Sequence, residues 1–246
     1  SKILRKKDYP NKNSMHMKLL LFDIDGTLIR SNGAGRAAMT YALEQVFGAT
    51  GPIDSYHMGG KTDPRIISDL LLAAGFSKEA IQAKLPIIYD VMTAQARETF
   101  PHNNILPCPG VLDLLETLQQ REDVVLGLVT GNIVSTAALK LKAGSIDPTQ
   151  FRVGAYGSDN MDRNKLPEIA TKRARELTGF PFNGCNTVVI GDTPADILCA
   201  RASKATAVAV ASGWHAALTL AKYKPDYLLA NLTDTQAVQT ILLAEK

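Results

Sequence analysis

Apolar positions along this chain fall into two rhythms. Leu19-Leu20-Leu21-Phe22 is an unbroken apolar run, and similar runs span 124–129, 187–190 and 205–210. A run without alternation predicts a strand buried on both faces. Shorter strands are predicted over 151–156 and 227–229. Between these runs, apolar residues recur at helical spacing. Pro109-Gly110 opens one such segment, which runs to about Gln120 with Leu112, Leu115 and Leu118 apolar. Others cover 135–143, 166–178, 195–203 and 234–244. Gly144 closes the first of these, and Pro167 is tolerated in the first turn of the second. Strands alternating with helices predict an α/β fold, a doubly wound parallel sheet covered on both faces.

The segment 33–106 departs from that alternation. It opens small and polar, then carries a helical pattern over 36–47 with Ala37, Ala38, Ala42, Leu43, Val46 and Phe47 on one face. Gly48 and Gly51-Pro52 end it. Two further helices are predicted over 64–74 and 78–99, and no strand between Gly33 and Pro107. The expected division is a basic leader at 1–16, a core built from 17–32 and 107–246, and an α-helical cap at 33–106. The cap leaves and rejoins the core at the rim of the sheet.

Parallel sheets bind ligands beyond the carboxyl ends of their strands, and three polar clusters sit there. The first strand delivers Asp23 and Asp25 into a Gly-Thr turn. Alternation puts both carboxylates on one side. Two close anions repel strongly at low dielectric, and a divalent cation, a lysine or arginine, or a shared proton relieves them. Thr130-Gly131-Asn132 follows the second long strand. A hydroxyl and backbone N–H groups at such a turn can hold phosphate oxygens. Gly191-Asp192 follows the third, with Asp196 one helical turn later on the same face.

Asp23-Ile24-Asp25-Gly26-Thr27-Leu28 after an apolar strand resembles the first motif of the haloacid dehalogenase-like superfamily of hydrolases. With the later clusters in family order, the resemblance covers 17–240. It implies a Rossmann-like core with an inserted helical cap. It assigns Asp23 as nucleophile and Asp25 as general acid/base, with the Asp25 backbone carbonyl a metal ligand. Thr130, with Gly131 and Asn132, would bind phosphate. Asp192 would complete a metal site for Mg²⁺, and Asp196 would orient it. The family's third motif supplies a cation, usually a Lys followed at once by Pro. This sequence departs from that pattern and offers Arg163 or Lys165. Arg163 is favoured because its fork suits phosphate. In the cap, Met58-Gly59-Gly60-Lys61-Thr62-Asp63 is similar to loops that select substrate, which makes Gly60, Lys61 and Thr62 candidates for leaving-group contact.

The true dehalogenases of the superfamily lack the second aspartate, so Asp25 points to a phosphatase. The expectation is an Mg²⁺-dependent phosphatase of a small phosphorylated metabolite, working through an aspartyl-phosphate on Asp23 and resembling the phosphoglycolate phosphatase branch. A β-phosphoglucomutase-like phosphotransferase and a non-catalytic protein keeping the fold are the alternatives.

Composition adds boundaries. Of the net charge of +3, residues 1–16 hold five basic groups against one acid, which leaves the rest at −1. A nucleic-acid surface is not implied. No apolar run approaches a membrane span. Cys108, Cys185 and Cys199 lack metal-site spacing and fit a reducing cytoplasm. His16, His57, His102 and His215 are scattered. The assembly is expected to be a monomer or homodimer.

Overall fold

The computed structural model describes residues 16–245. The leader expected at 1–16 therefore lies outside the described residues, apart from His16. In chain order the elements are β1 (Lys18–Phe22), β2 (Ile29–Arg30), α1 (Ala34–Phe47), α2 (Asp63–Ala73), α3 (Lys78–Thr99), β3 (Leu106–Pro107), α4 (Val111–Gln119), β4 (Val124–Thr130) and α5 (Val134–Ala143). There follow β5 (Val153–Tyr156), α6 (Leu166–Thr178), β6 (Thr187–Gly191), α7 (Pro194–Ala202), β7 (Thr206–Val210), α8 (Ala217–Ala221), β8 (Tyr227–Leu229) and α9 (Thr235–Leu243).

Six strands form one parallel sheet in the order β5-β4-β1-β6-β7-β8. β1 is central because its four apolar residues serve both faces. Leu20 and Phe22 join the apolar cluster on one side, with Leu115, Leu126 and Val208. Leu19 and Leu21 join the opposite cluster, with Val129, Leu166 and Ile197. Truncating one of them, Leu21 for example, to alanine would cost about 2–5 kcal/mol. The chain turns from β4 and β5 on one side of β1 to β6, β7 and β8 on the other. That reversal opens a crevice at the end of β1. Phe22 pairs with Leu128 and with Ile190, so Asp23, Thr130 and Asp192 emerge side by side.

The three helices between β2 and β3 have an apolar cluster of their own, including Met39, Leu43, Ile67, Leu70, Ile88 and Met92. β2 and β3 pair antiparallel at the base of this unit. This two-residue ladder and the short α8 carry too little pattern to read from sequence. Two predicted apolar faces need correction. Ala37 is exposed and Met39 takes its place inward, because α1 packs against two partners: Ala34 and Ala38 meet the sheet's cluster, while Met39, Ala42 and Leu43 meet the helical one. In α4, Leu112 is 45% exposed while Leu114 is buried, since the helix turns Val111, Leu114, Leu115 and Leu118 toward the sheet.

Candidate active site

A chamber of about 300 Å³ lies between the end of β1 and the helical unit. Asp23, Asp25, Thr130, Gly131, Asn132, Lys140 and Arg163 line it from the sheet side. Asp23 leaves β1 on the face covered by α6 and α7, and its N–H donates to the Ile190 carbonyl at 2.9 Å. Its carboxylate is buried. Arg163 Nη2 lies 2.9 Å from Asp23 Oδ1 and donates to Asp196 Oδ1 at 2.6 Å. Arg163 therefore shares one charge between two buried acids. Its Nε is also buried and has no acceptor among the described residues. A buried donor left without a partner is costly.

Lys165, the other sequence candidate for this cation, ends exposed at the start of α6 and does not line the chamber. The single helical turn Arg163–Lys165 explains the difference. Two residues along that turn rotate the side chain by well over a right angle, so only one of the pair can face inward.

Asp192 follows β6 and is fully buried. Its Oδ1 accepts from Thr27 Oγ1 at 3.2 Å, and its Oδ2 from the Trp214 N–H at 3.3 Å. The loops around it must carry glycine. A Cβ on Gly26 would fall 2.3 Å from Asp192 Oδ2, and one on Gly213 only 1.7 Å away. Carboxylate oxygens of Asp23, Asp192 and Asp196 lie within 4.8 Å of one another, a buried acidic cluster able to hold a metal ion. Asp196 is the most committed of the three. Its second oxygen accepts from the Thr193 N–H at 3.0 Å and from Thr193 Oγ1 at 2.7 Å, a capping box at the start of α7. That leaves Asp23 and Asp192 with the freer oxygens.

The electrostatics record a shortage of positive charge. Burial raises Asp23 to about 7 despite the opposing charge of Arg163. Burial, together with the charges of Asp23 and Asp196, raises Asp192 to about 8. All the donors are hard oxygens, which suits a hard divalent cation.

Asp25 has different company. Lys140 Nζ lies 2.9 and 2.7 Å from its two oxygens, and Asn132 Nδ2 donates to Oδ2 at 2.7 Å. Lys140 also donates to Asn132 Oδ1 at 2.6 Å. Burial would raise Asp25, but the charge and hydrogen bonds of Lys140, with bonds from Ser31 and Asn132, outweigh it and hold the group below its ordinary value. Sequence reading missed Lys140. A signal was present: Lys140 shares the buried stripe of α5 with Thr136, Ala137 and Leu141, and a lysine on an apolar helical stripe asks for a buried acid.

The helical unit touches the sheet rim through the loop before α2. The Asp63 N–H donates to the Gly131 carbonyl at 2.7 Å, and Asp63 Oδ2 accepts from the Ile133 N–H at 2.9 Å. Gly131 must be glycine, since a Cβ would sit 2.1 Å from the Lys61 carbonyl. Gly60 and Lys61 line the chamber, whereas Thr62 is buried and donates to the Met161 carbonyl at 2.8 Å. Thr62 thus ties the loop to the segment carrying Arg163 and is already spent as a donor. Lys61 Nζ donates to Tyr56 Oη at 2.6 Å and lies 3.8 Å from Asp69.

Known proteins resemble this chain in sequence and in fold. The chain is 28% identical over 231 residues to the pyrophosphatase PpaX of Bacillus pumilus, covering 92% of this chain and 98% of that protein. It is 24% identical over 226 residues to a phosphoglycolate phosphatase of Pseudomonas fluorescens, covering 87% and 77% respectively. Among solved structures, a hydrolase from Pseudomonas syringae superposes with a TM-score of 0.67 at 23% identity, over 93% of this chain and all of that one. A chain from Bacteroides vulgatus described as a β-phosphoglucomutase gives 0.64 at 21%, over 95% and 93%. The model of haloacid dehalogenase-like hydrolases matches residues 17–204, and with its α/β sheet and rim of aspartates this chain is an enzyme belonging to the haloacid dehalogenase-like hydrolase family.

Proposed function

We propose that the protein is an Mg²⁺-dependent phosphatase of a small phosphorylated metabolite, with Asp23 as nucleophile and Asp25 as general acid/base. The observation that carries the reading is the surroundings of Asp23. Its carboxylate lines the chamber, with Arg163 at 2.9 Å and Asp192 within 4.8 Å. Attack by an Asp23 oxygen on phosphorus forms an acyl phosphate and releases the alkoxide, which takes a proton from Asp25. Asp25 then removes a proton from the water that hydrolyses the acyl phosphate. Thr130, with the N–H groups of the Gly131–Asn132 turn and the Arg163 guanidinium, supplies donors for the phosphoryl oxygens. Asp23, Asp192 and the Asp25 carbonyl would hold Mg²⁺, which when bound screens the phosphoryl charge.

In this reading residues 33–106 are the cap. Their three helices close the chamber against water, and against large substrates as well. Unpaired Cys108, Cys185 and Cys199 support a reducing compartment, the cytoplasm. Among the described residues, no helix is long and apolar enough to cross a membrane.

The test is p-nitrophenyl phosphate turnover with Mg²⁺ in wild type and Asp23→Asn. The expected outcome is a loss of about a thousandfold or more in the variant. Equal rates would trace the activity to a contaminant and remove the proposal. A time course of inorganic phosphate release from sugar phosphates distinguishes hydrolysis from phosphoryl transfer to a second sugar.

A further inference from the structure

Four lysine and arginine side chains line the chamber, and three of them have carboxylate partners. Arg163 is shared by Asp23 and Asp196, Lys140 is bonded to Asp25, and Lys61 lies 3.8 Å from Asp69. Asp63, the remaining acid in the lining, has its carboxylate against the Ile133 N–H and the charge of Lys140. Arg36 is the exception. It sits in the first turn of α1, half-buried. Its Nη1 donates to the Ile53 carbonyl, and its Nη2 to the Tyr56 carbonyl at 2.9 Å. Both partners are neutral, and no carboxylate lies within ion-pair distance of Arg36 among the described residues.

We infer that Arg36 binds a second anionic group on the leaving side of the substrate. The preferred substrates are then phosphoric esters or anhydrides whose leaving group itself carries a carboxylate or a second phosphoryl group. This deepens the phosphatase reading and rests on it. Two features of the chamber support the inference. First, a guanidinium has five N–H donors and only two are engaged here, while the two carbonyls fix its orientation, so little freedom is lost when an anion arrives. Second, Met39, Met58 and Ile66 give the cap-side wall apolar surface, so the polar side chains it offers a leaving group are few: Arg36, His57, Lys61 and Asp63. A chamber of about 300 Å³ sits at the small end of ligand sites, so the second anion must lie close to the scissile phosphate.

The experiment compares kcat/KM for 2-phosphoglycolate, inorganic pyrophosphate, ethyl phosphate and p-nitrophenyl phosphate in wild type, Arg36→Gln and Arg36→Lys. Wild type is expected to prefer at least one doubly anionic substrate over ethyl phosphate by about tenfold to a hundredfold, the range of a charge-assisted hydrogen bond. The carboxylate and phosphoryl arms report which anion the subsite takes. Arg36→Gln is expected to erase most of that preference through KM, and Arg36→Lys to retain part of it. A wild type indifferent to the second anion overturns the inference, without recourse to any variant. So does an Arg36→Gln protein that loses equally on all four substrates, because pinning the 53–56 loop would account for that. If no substrate is turned over, including p-nitrophenyl phosphate, the phosphatase reading itself fails and takes this inference with it.

Discussion

Asp23 and Asp25 leave one strand two residues apart, and their surroundings drive them in opposite directions. Asp23 is raised to about 7 and Asp25 is held below its ordinary value. Each faces a buried cation, but the Asp23 side chain is 7% exposed and that of Asp25 30%, so burial weighs more on Asp23. The rest of the difference lies in how the cation is shared. Arg163 divides its charge between Asp23 and Asp196, with Asp192 close behind. Lys140 gives both short contacts to Asp25, and Asn132 reinforces them. One region is short of positive charge and is suited to take up a cation and a phosphate. The other has a cation of its own, which favours the ionised carboxylate in the free protein, so Asp25 must take up a proton before it can serve as the acid.

Removing the cation from each region sharpens this contrast. Arg163→Met leaves Asp23 and Asp196 buried without a counter-charge. The expected loss of stability in urea unfolding is about 3–5 kcal/mol, with phosphatase activity down about a hundredfold or more. Full stability in that variant would mean that the two acids are already protonated, and the shortage of charge would not be the governing feature.

Lys140→Met tests the region with its own cation. Lys140 is a positioning residue: it acts through Asp25. The expected loss in kcat/KM is about tenfold to a hundredfold. Freed from its cation, Asp25 should hold its proton to higher pH, so the alkaline limb of the kcat/KM profile, where Asp25 must be protonated to act as the acid, moves upward. A uniform loss at every pH would reduce Lys140 to a packing role.

The smallest effect concerns Mg²⁺ and pH. In the metal-free protein Asp192, raised from 3.8 to about 8, binds more protons folded than unfolded between those values. Stability therefore falls as pH rises across that window, and Asp23 adds to the trend up to about 7. Mg²⁺ should offset this where the carboxylates are ionised. Thermal unfolding should show an Mg²⁺-induced rise of a few degrees at pH 8, roughly the shift expected from ligand excess, and a smaller one at pH 5.5. A rise that shrinks as pH increases would contradict the assignment of the acidic cluster.

The sheet was legible because its strands are unbroken apolar runs and its helices are amphipathic, two patterns that differ in period. The Asp23, Thr130 and Asp192 clusters were legible for the same reason, since each follows such a run. The choice between Arg163 and Lys165 was not. Both lie on one short turn, and only the packing of α6 and α7 against β1 sends Arg163 inward and leaves Lys165 in solvent. Thr62 misled because a loop hydroxyl near glycines looks like a substrate contact, whereas here its donor goes to Met161.

By itself, the order of residues determined which strands would be buried, that a helical block interrupts the alternation, and that paired aspartates stand at a strand end. These follow from local periodicity and chain order. Tertiary structure alone decided which cation meets which acid: Lys140 lies 115 residues from Asp25, and no carboxylate among the described residues pairs with Arg36. Such pairings depend on where distant helices pack, and that is set by the whole core at once.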